Sequence, residues 1–326
     1  MGVGLGLDRA GLVLLPTPLH RLQHVSDDLA CEVWIKRDDL TGFALGGNKG
    51  RKLEYLIGQA VAEKAEAIVT CGSMQSNFIR QLGAACAVHG IRCAAAVMAM
   101  PYEYEPPATL GVGENSGNVL LDELFGVELH VFEDGTWETL YSHYEALAKA
   151  FNDQGLKTLA IPIGGSSPRG AYAFLQAGKE LQEQAREPFD WIIFASSSGS
   201  THTGLSHAFR GTSTKILGMA CDPEPEIVED FSELSQGLAE LLGENFYMAP
   251  EDFLINLDYV GPGYGVPSEA GSEAIRYLAR REGIVLDPIY SGKAFAGLLD
   301  LARRGEIKGR ICFWHTGGIP ALFAHS

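Results

Sequence analysis

Long apolar runs are missing from this 326-residue chain. No stretch approaches the ~18 consecutive apolar residues of a membrane span, so none is expected. Positive charge is scarce. Lys and Arg number 25 against 41 Asp and Glu, a formal net charge of -16. Nucleic acid and anionic membrane both require a basic face, so neither is expected as a partner. Paired cysteines are missing too. The six cysteines, at 31, 71, 86, 93, 221 and 312, form no C-x-x-C pair. They read as small buried residues of a protein in a reducing compartment, taken here as the cytoplasm. There is no H-E-x-x-H and no paired Cys-His spacing, so no metal site is expected. There is no G-x-S-x-G elbow and no dinucleotide fingerprint. Residues 1–15 are apolar and Gly-rich but lack a basic start, and Asp8 and Arg9 interrupt them; no signal peptide is expected. Gly6 stands where an N-myristoylation start needs Ser or Thr. No internal repeat and no low-complexity segment occurs.

What is present is an ordinary globular composition, 46% hydrophobic and 20% charged, with 39 glycines. The length suggests about two domains. Short apolar runs alternate with helical periodicity throughout. Strands are expected at 33–35, 67–71, 93–98, 127–132, 158–161, 191–195, 215–220 and 310–314. Helices are expected at 49–64, 76–89 (closed by Gly90), 116–125, 136–154, 170–184, after Ser200, at 267–282 and at 292–303. Residues 101–107, with three prolines, read as a loop. The acidic run 222–230 reads as a solvated helix start. This alternation predicts an α/β chain of open, twisted, mostly parallel sheets. Such sheets bind ligands beyond the carboxyl ends of their strands.

Three segments at those ends carry unusual chemistry. In Gly46-Gly47-Asn48-Lys49-Gly50-Arg51-Lys52, a glycine pair leads into a helix whose first turn holds two lysines. A lysine at a buried helix start is pushed toward its neutral amine, the form that makes Schiff bases. A solvated basic helix start is the alternative. In Thr70-Cys71-Gly72-Ser73-Met74-Gln75-Ser76-Asn77, a strand ends in glycine and small polar residues open a helix. Amides there suit a carboxylate or phosphate, although helix capping alone explains any one of these residues. The run Ser196 to Gly204 holds Ser197, Ser198, Gly199, Ser200 and Thr201 and joins an apolar strand to a helix. It is a phosphate cradle by composition, without the lysine of a P-loop, and suits a phosphate monoester. Two later segments present tyrosines flanked by Gly and Pro, Tyr264 in 261–267 and Tyr290 just before Ser291, and Thr316 follows the last strand beside His315.

Taken together these motifs are specific. The chain resembles the pyridoxal 5'-phosphate (PLP) dependent enzymes of the tryptophan synthase β-subunit type (fold type II). Within them it is most similar to the D-cysteine desulfhydrase/1-aminocyclopropane-1-carboxylate (ACC) deaminase family. The likeness runs from Pro16-Thr17-Pro18-Leu19 through Trp34 to Asp39 and on to Pro320-Ala321-Leu322. G-G-N-K-x-R-K-L-E and Q-S-N are its most specific elements. The resemblance implies that Lys49 carries the cofactor as a Schiff base and moves the Cα proton. Asn77 meets the phenolic oxygen, and Lys52 with residues 197–201 holds the phosphate. Gln75, Ser76, Asn77 and Phe78 form the substrate side, with Ser76 taking the carboxylate. Tyr264 and Tyr290 assist proton transfer, and Ser291 and Thr316 stand near the pyridine nitrogen. It also implies a small domain over 49–159, a large PLP-binding domain from 1–48 and 160–326, and a homodimer.

The deaminase pattern resembles Y-E-G-K and H-L-G-G, where this chain has Tyr290-Ser291-Gly292-Lys293 and His315-Thr316-Gly317-Gly318. A carboxylate beside the pyridine nitrogen strengthens the electron sink; a hydroxyl leaves it weaker. A weaker sink suffices when a thiolate departs from Cβ. The expectation is therefore β-elimination from D-cysteine, with ACC deamination as the alternative. Phe78 replaces a usual polar residue and Gly50 a usual Thr, which brings cysteate and D-serine into range. Outside enzymes, the alternative is a PLP-binding protein without efficient turnover.

Overall fold

The computed structural model describes residues 5–103 and 116–324. In chain order the strands are β1 (Leu19–Arg21), β2 (Glu32–Arg37), β3 (Ala67–Ser73), β4 (Arg92–Met98), β5 (Glu128–Val131), β6 (Thr158–Ala160), β7 (Trp191–Ser196), β8 (Lys215–Ala220), β9 (Leu254–Asn256) and β10 (Arg310–His315). The helices are α1 (Gln23–Leu29), α2 (Lys49–Ala62), α3 (Asn77–His89), α4 (Gly117–Leu124), α5 (Trp137–Asp153), α6 (Pro168–Gln184), α7 (Ser200–Ala208), α8 (Ile227–Leu242), α9 (Glu269–Glu282), α10 (Ser291–Arg303) and α11 (Ile319–Leu322).

Two sheets form. One has four strands in the order β5-β4-β3-β6, all parallel; the other has six in the order β1-β2-β10-β7-β8-β9, parallel except for the edge strand β1. The pairing of β2 with β10 joins the two ends of the sequence in one sheet. Strand β3 is buried along its whole length. Both its faces are covered by helices, which is why it reads as a near-continuous apolar run rather than an alternating one.

Local signals set the helix limits. Ser76 caps α3, and Gly90 ends it in the left-handed region at φ 66°. Thr136 caps α5. Leu53, Leu56 and Ile57 bury one face of α2 against Phe78, Ile79 and Leu82 of α3. Each such side chain contributes about 1.5–3 kcal/mol when fully buried. The helices expected at 49–64, 76–89, 116–125 and 136–154 form to within two residues at each end.

Some elements were not visible in the sequence. Strands β1 and β9 and helix α11 are only three or four residues long. The acidic run 222–230 needs correction: α8 starts only at Ile227, and Asp222 is buried before it. The loop expected over 101–107 lies outside the described residues from 104 onward, as do Met1 and Gly2. Among the described residues no helix is long and apolar enough to cross a membrane.

Candidate active site

A cavity of about 540 Å³ opens between the two sheets at the carboxyl ends of their strands. That volume suits a small cofactor with a small substrate. Its walls include Lys49, Lys52, Ser76, Asn77, Phe78, Ser197, Ser198, Gly199, Thr201, Asp222, Tyr264, Tyr290 and Thr316.

Lys49 is the first residue of α2, and a buried ionic network fixes where α2 begins. Arg51 Nη2 meets Asp38 Oδ1 at 2.8 Å, and Arg51 Nη1 meets Glu180 Oε2 at 2.9 Å. Lys36 pairs with the same Glu180. The turn before α2 requires glycine. At Gly46, φ is 73°, and a Cβ would sit 1.8 Å from the Asp39 carbonyl oxygen. Lys49 Nζ reaches toward Gly164, whose Cβ, if present, would lie 3.6 Å from it and 2.4 Å from Ser198 Oγ. The amine thus stands beside the serine turn.

Burial is the main cause that lowers the Lys49 pKa. Lys52, one turn along, is lowered further by burial and by the neighbouring Lys49 ammonium, and its Nζ donates to the Gly164 carbonyl at 3.1 Å. Two enclosed ammonium groups in contact disfavour each other, which favours at least one neutral amine.

The serine turn lies between β7 and α7. Gly199 at φ 95° is the N-cap of α7 and offers no side chain, and among the described residues the one side chain that meets a first-turn amide is Ser166, whose Oγ accepts from Ser200 N at 3.3 Å. The Cβ that any other residue would carry there would meet Phe231 Cδ1 at 2.5 Å. The first-turn amides of α7 therefore face the cleft with only partial partners, the arrangement that binds anions. Asn48 Nδ2 donates to Thr201 Oγ1 at 3.2 Å and ties this turn to the start of α2. Ser200 is different from its neighbours: it is buried behind the wall, 3.3 Å from Ser166 Oγ. Ser197 Oγ donates to Asp222 Oδ2 at 2.9 Å.

On the opposite wall, Ser76 Oγ accepts from the amides of Phe78 and Ile79 at 3.3 and 3.4 Å. Asn77 opens α3 and borders the cleft, as does Phe78, whose side chain is buried in the core with Leu53, Leu56 and Ile57 and lies against Gly165. Gln75 is not brought into the cleft. Its Nε2 donates to the Ser116 carbonyl at 3.0 Å and its Oε1 accepts from the Asn118 amide at 2.8 Å, so both ends of the side chain are engaged elsewhere.

Tyr264 and Tyr290 meet through their hydroxyls at 2.7 Å, and Tyr264 also lies 3.3 Å from Ser73 Oγ. Burial pushes Tyr264 up to about 12 and Tyr290 well above the usual phenol range. Both remain protonated donors at neutral pH. Thr316 lines the cleft, whereas Ser291 turns away, bonded to the Asp287 carboxylate. Beside Thr316, His315 accepts from the Gly317 amide at Nδ1, so its Nε2 carries the proton donated to the Val285 carbonyl; burial keeps this ring neutral.

Sequence reasoning missed Asp222. It is 5% exposed, its Oδ1 has no hydrogen-bond partner among the described residues, and burial raises its pKa to about 6. The signal was available, because Asp222 stands just beyond the carboxyl end of β8, where ligand contacts are expected. Arg80 was missed as well, although it lies on α3 three residues after Asn77 and so on the same side. Among the described residues no cluster of acids, His and Cys fits a metal ion.

The constellation fits a planar phosphate monoester with a reactive carbonyl. An amine is poised as nucleophile, a second lysine and a bare helix start face the same point, and Asn77 Nδ2 donates no hydrogen bond among the described residues. Comparison with known proteins agrees. The sequence profile of the pyridoxal-phosphate dependent enzymes matches residues 12–317. D-cysteine desulfhydrases of Salmonella newport (strain SL254) and Salmonella typhi are each 37% identical, covering 97% of this chain and 96% of theirs. A solved structure described as an ACC deaminase homologue superposes with a TM-score of 0.88 at 35% identity, over 98% of this chain and 94% of the other. Threonine deaminase isoform 2 from Solanum lycopersicum shares the fold with a TM-score of 0.61 at 17% identity, over 94% of this chain and 80% of its own. A profile match over nearly all of the chain, and relatives this similar along its length, place one conclusion beyond the geometry alone: the chain belongs to the pyridoxal-phosphate dependent enzymes.

Proposed function

We propose that this protein is a PLP-dependent carbon–sulfur lyase that converts D-cysteine and water to pyruvate, sulfide and ammonia. The observation that carries the reading is the wall at the end of β10. There Thr316 lines the cleft, and the Asp287 carboxylate beside Gly318 is taken up by Ser291 and the amides of Ile289 and Tyr290, while Asp222 lies across the serine turn, beyond β7, on the β8 side. The relatives named D-cysteine desulfhydrase support the same reading.

Lys49 Nζ would hold the cofactor covalently and, once freed by the incoming substrate amine, would accept the Cα proton. Lys52 Nζ and the amides at the start of α7 hold the phosphate. Beside a bound phosphate Lys52 would hold the charge of the pair and Lys49 would be its neutral amine. Asn77 Nδ2 donates to the phenolic oxygen. Ser76 and the first amides of α3 receive the substrate carboxylate, which displaces the long contacts to Ser76 Oγ. Bound PLP supplies the electron sink for the pair left at Cα. The C–S bond breaks with its electrons going to sulfur, and the Tyr264–Tyr290 pair donates a hydrogen bond to that sulfur.

We also read the chain as two domains, 49–159 and the combined 1–48 with 160–326. The four-stranded sheet draws on β3 to β6 and the six-stranded sheet on both chain ends, which supports the division. A cytoplasmic homodimer acting on a small amino acid completes the proposal, and sedimentation at micromolar concentration tests the dimer.

The deciding assay offers the PLP-loaded protein D-cysteine, L-cysteine, ACC, D-serine and cysteate in parallel. Pyruvate and sulfide released fastest from D-cysteine support the reading. Production of 2-oxobutyrate from ACC at a higher kcat/KM overturns it in favour of the deaminase, the activity suggested by the solved homologue's description. No product from any of them, with the cofactor bound, leaves a carrier rather than an enzyme.

A further inference from the structure

Asn77 is held from behind by two donors. Its Oδ1 accepts from Arg80 Nη1 at 3.1 Å and from Asn118 Nδ2 at 3.0 Å. Those partners also bind each other, Arg80 Nη1 to Asn118 Oδ1 at 2.8 Å. Asn118 is fixed in turn by residue 75: its Nδ2 donates to the Gln75 carbonyl at 2.7 Å and its backbone amide to Gln75 Oε1 at 2.8 Å. Arg80 Nη2 donates to the Gly46 carbonyl at 2.9 Å, in the turn that leads to Lys49. Arg80 and Asn118 are both fully buried.

This placement is unusual for an arginine. Among the described residues Arg80 forms no ion pair, and its Nε has no partner. Asp122 on α4 is close enough to favour the charged form of Arg80, but among the described residues neither of its oxygens is hydrogen-bonded. A buried guanidinium without a paired carboxylate is costly, and such groups are retained where their donors have a specific target. Here the donors reach the Gly46 carbonyl, Asn118 Oδ1 and, at the edge of the cleft, the amide oxygen of Asn77. The orientation of that amide is also unambiguous. Arginine has no acceptor, so the Asn77 atom facing it must be the oxygen, and the NH₂ must point the other way.

We propose that Arg80 and Asn118 are positioning residues of the cofactor site: they hold the Asn77 amide with its Nδ2–H directed into the cleft as a donor to the phenolate oxygen of the pyridoxal ring. A flipped amide would set its NH₂ against two donors and present an oxygen to an anion. The positive charge behind Oδ1 also polarises the amide and strengthens the Nδ2–H donor. Gln75 belongs to this system as the anchor of Asn118. That accounts for its place in the Q-S-N motif although it never reaches the cleft. The inference rests on the family's cofactor and not on the choice of D-cysteine.

The test reads the resting enzyme without substrate. The PLP-loaded protein is titrated with pH, and the midpoint at which the visible band of the Lys49-bound cofactor gives way to its near-ultraviolet form is recorded. A donor to the phenolate favours the deprotonated form, in which that oxygen's charge is otherwise uncompensated, and so lowers the midpoint. Arg80→Gln and Asn118→Ala should each raise it by about 1 pH unit, in the same direction as Asn77→Ala. Combining either with Asn77→Ala should add nothing further, because the path runs through that amide. Arg80→Lys, which restores the charge but only part of the fork, should fall between. A folded Arg80→Gln protein with the wild-type midpoint overturns the proposal, and so does a shift that adds in full to that of Asn77→Ala. Should Arg80→Gln fail to fold, Asn118→Ala decides by the same two criteria. Failure of D-cysteine as substrate would leave these spectra untouched, so the two readings fail separately.

Discussion

The turns at 70–77 and 196–204 are built alike and finished differently. In each, a buried parallel strand ends, small polar residues follow, and a helix starts at the cleft. Helix α3 is capped by its own residue, with Ser76 Oγ occupying two first-turn amides. Helix α7 is headed by Gly199, which has no side chain to cap with, and Ser166 Oγ takes only the Ser200 amide, at 3.3 Å. A bare helix start is a standing anion site, while a self-capped one binds an anion only by displacing its own cap. The first suits a resident phosphate. The second suits a substrate carboxylate that must arrive and leave at every turnover. The same local grammar thus yields a permanent site and an exchangeable one, and a single cap residue makes the difference.

The largest expected effect comes from the group that both turns face. Lys49→Ala should remove the covalent cofactor band and lower kcat by about 10³-fold or more, since it deletes both the attachment and the proton acceptor. Retention of either property would displace Lys49 from its role. Gly199→Ala tests the permanent turn. The new Cβ must avoid Phe231 at 2.5 Å while φ stays near 95°. Strain of about 1–3 kcal/mol at that point should weaken PLP binding by roughly 5- to 150-fold. The shift is measurable by equilibrium dialysis, with KM for D-cysteine at saturating PLP little changed. If KM rises while PLP affinity holds, the two turns have been assigned the wrong way round.

Ser76→Ala probes the exchangeable turn and should have a smaller effect. Loss of the cap costs about 1 kcal/mol of stability. The amides it frees become available to the substrate carboxylate, while the contact of that carboxylate with the Ser76 hydroxyl is lost, and the two partly offset. KM should change by no more than about 5-fold in either direction, with PLP affinity unaffected, which dialysis alongside steady-state kinetics can check. A large loss of PLP would mean that the phosphate lies at α3.

Much of this site was legible because its chemistry is local. Gly46, Gly47 and Lys49 are contiguous, and 196–204 carries strand, turn and helix in one reading frame. The parallel sheets were legible for the same reason, through the alternation of apolar runs and helical periodicity. What stayed hidden depends on long-range pairing. No local pattern reveals that Gln75 faces Asn118 rather than substrate, or that Ser291 turns to Asp287 rather than to the cleft. Ser200 was assigned with its neighbours, but the helical rotation at the start of α7 carries its side chain behind the wall to Ser166. Strands β1 and β9 are three residues each and exist because longer strands beside them offer free edges. The acidic run 222–230 looked uniform by composition, and only the end of β8 sets Asp222 apart from half-buried Glu224 and the exposed Glu226, Glu229 and Asp230 after it.

Asp222 also breaks the symmetry between the two turns, since it places a buried carboxyl beside Ser197, and its titration gives the mildest of these tests. Burial raises its pKa to about 6 in the folded protein, from the usual carboxylate range. A group held above its unfolded pKa contributes stability fully present below the unfolded value, and that stability is lost as pH rises through the folded one. The wild type should therefore lose stability between about pH 4 and pH 6 relative to Asp222→Asn, which keeps an acceptor for Ser197 and carries no charge. The two should melt together at pH 4, and the variant should melt a few degrees higher at pH 8, on a scale of roughly 2–4 °C per kcal/mol for a chain somewhat shorter than this one. Taking the difference between the two proteins removes the other buried acids, such as Glu224, which burial raises to about 8. Phosphate held at the neighbouring turn adds negative charge beside Asp222 and raises its pKa further, so with PLP bound the gap at pH 8 should widen. Parallel melting curves across this range would place the Asp222 carboxyl in water. A gap that narrows when PLP binds would place the phosphate away from Ser197, and the contrast between the two turns would have to be redrawn.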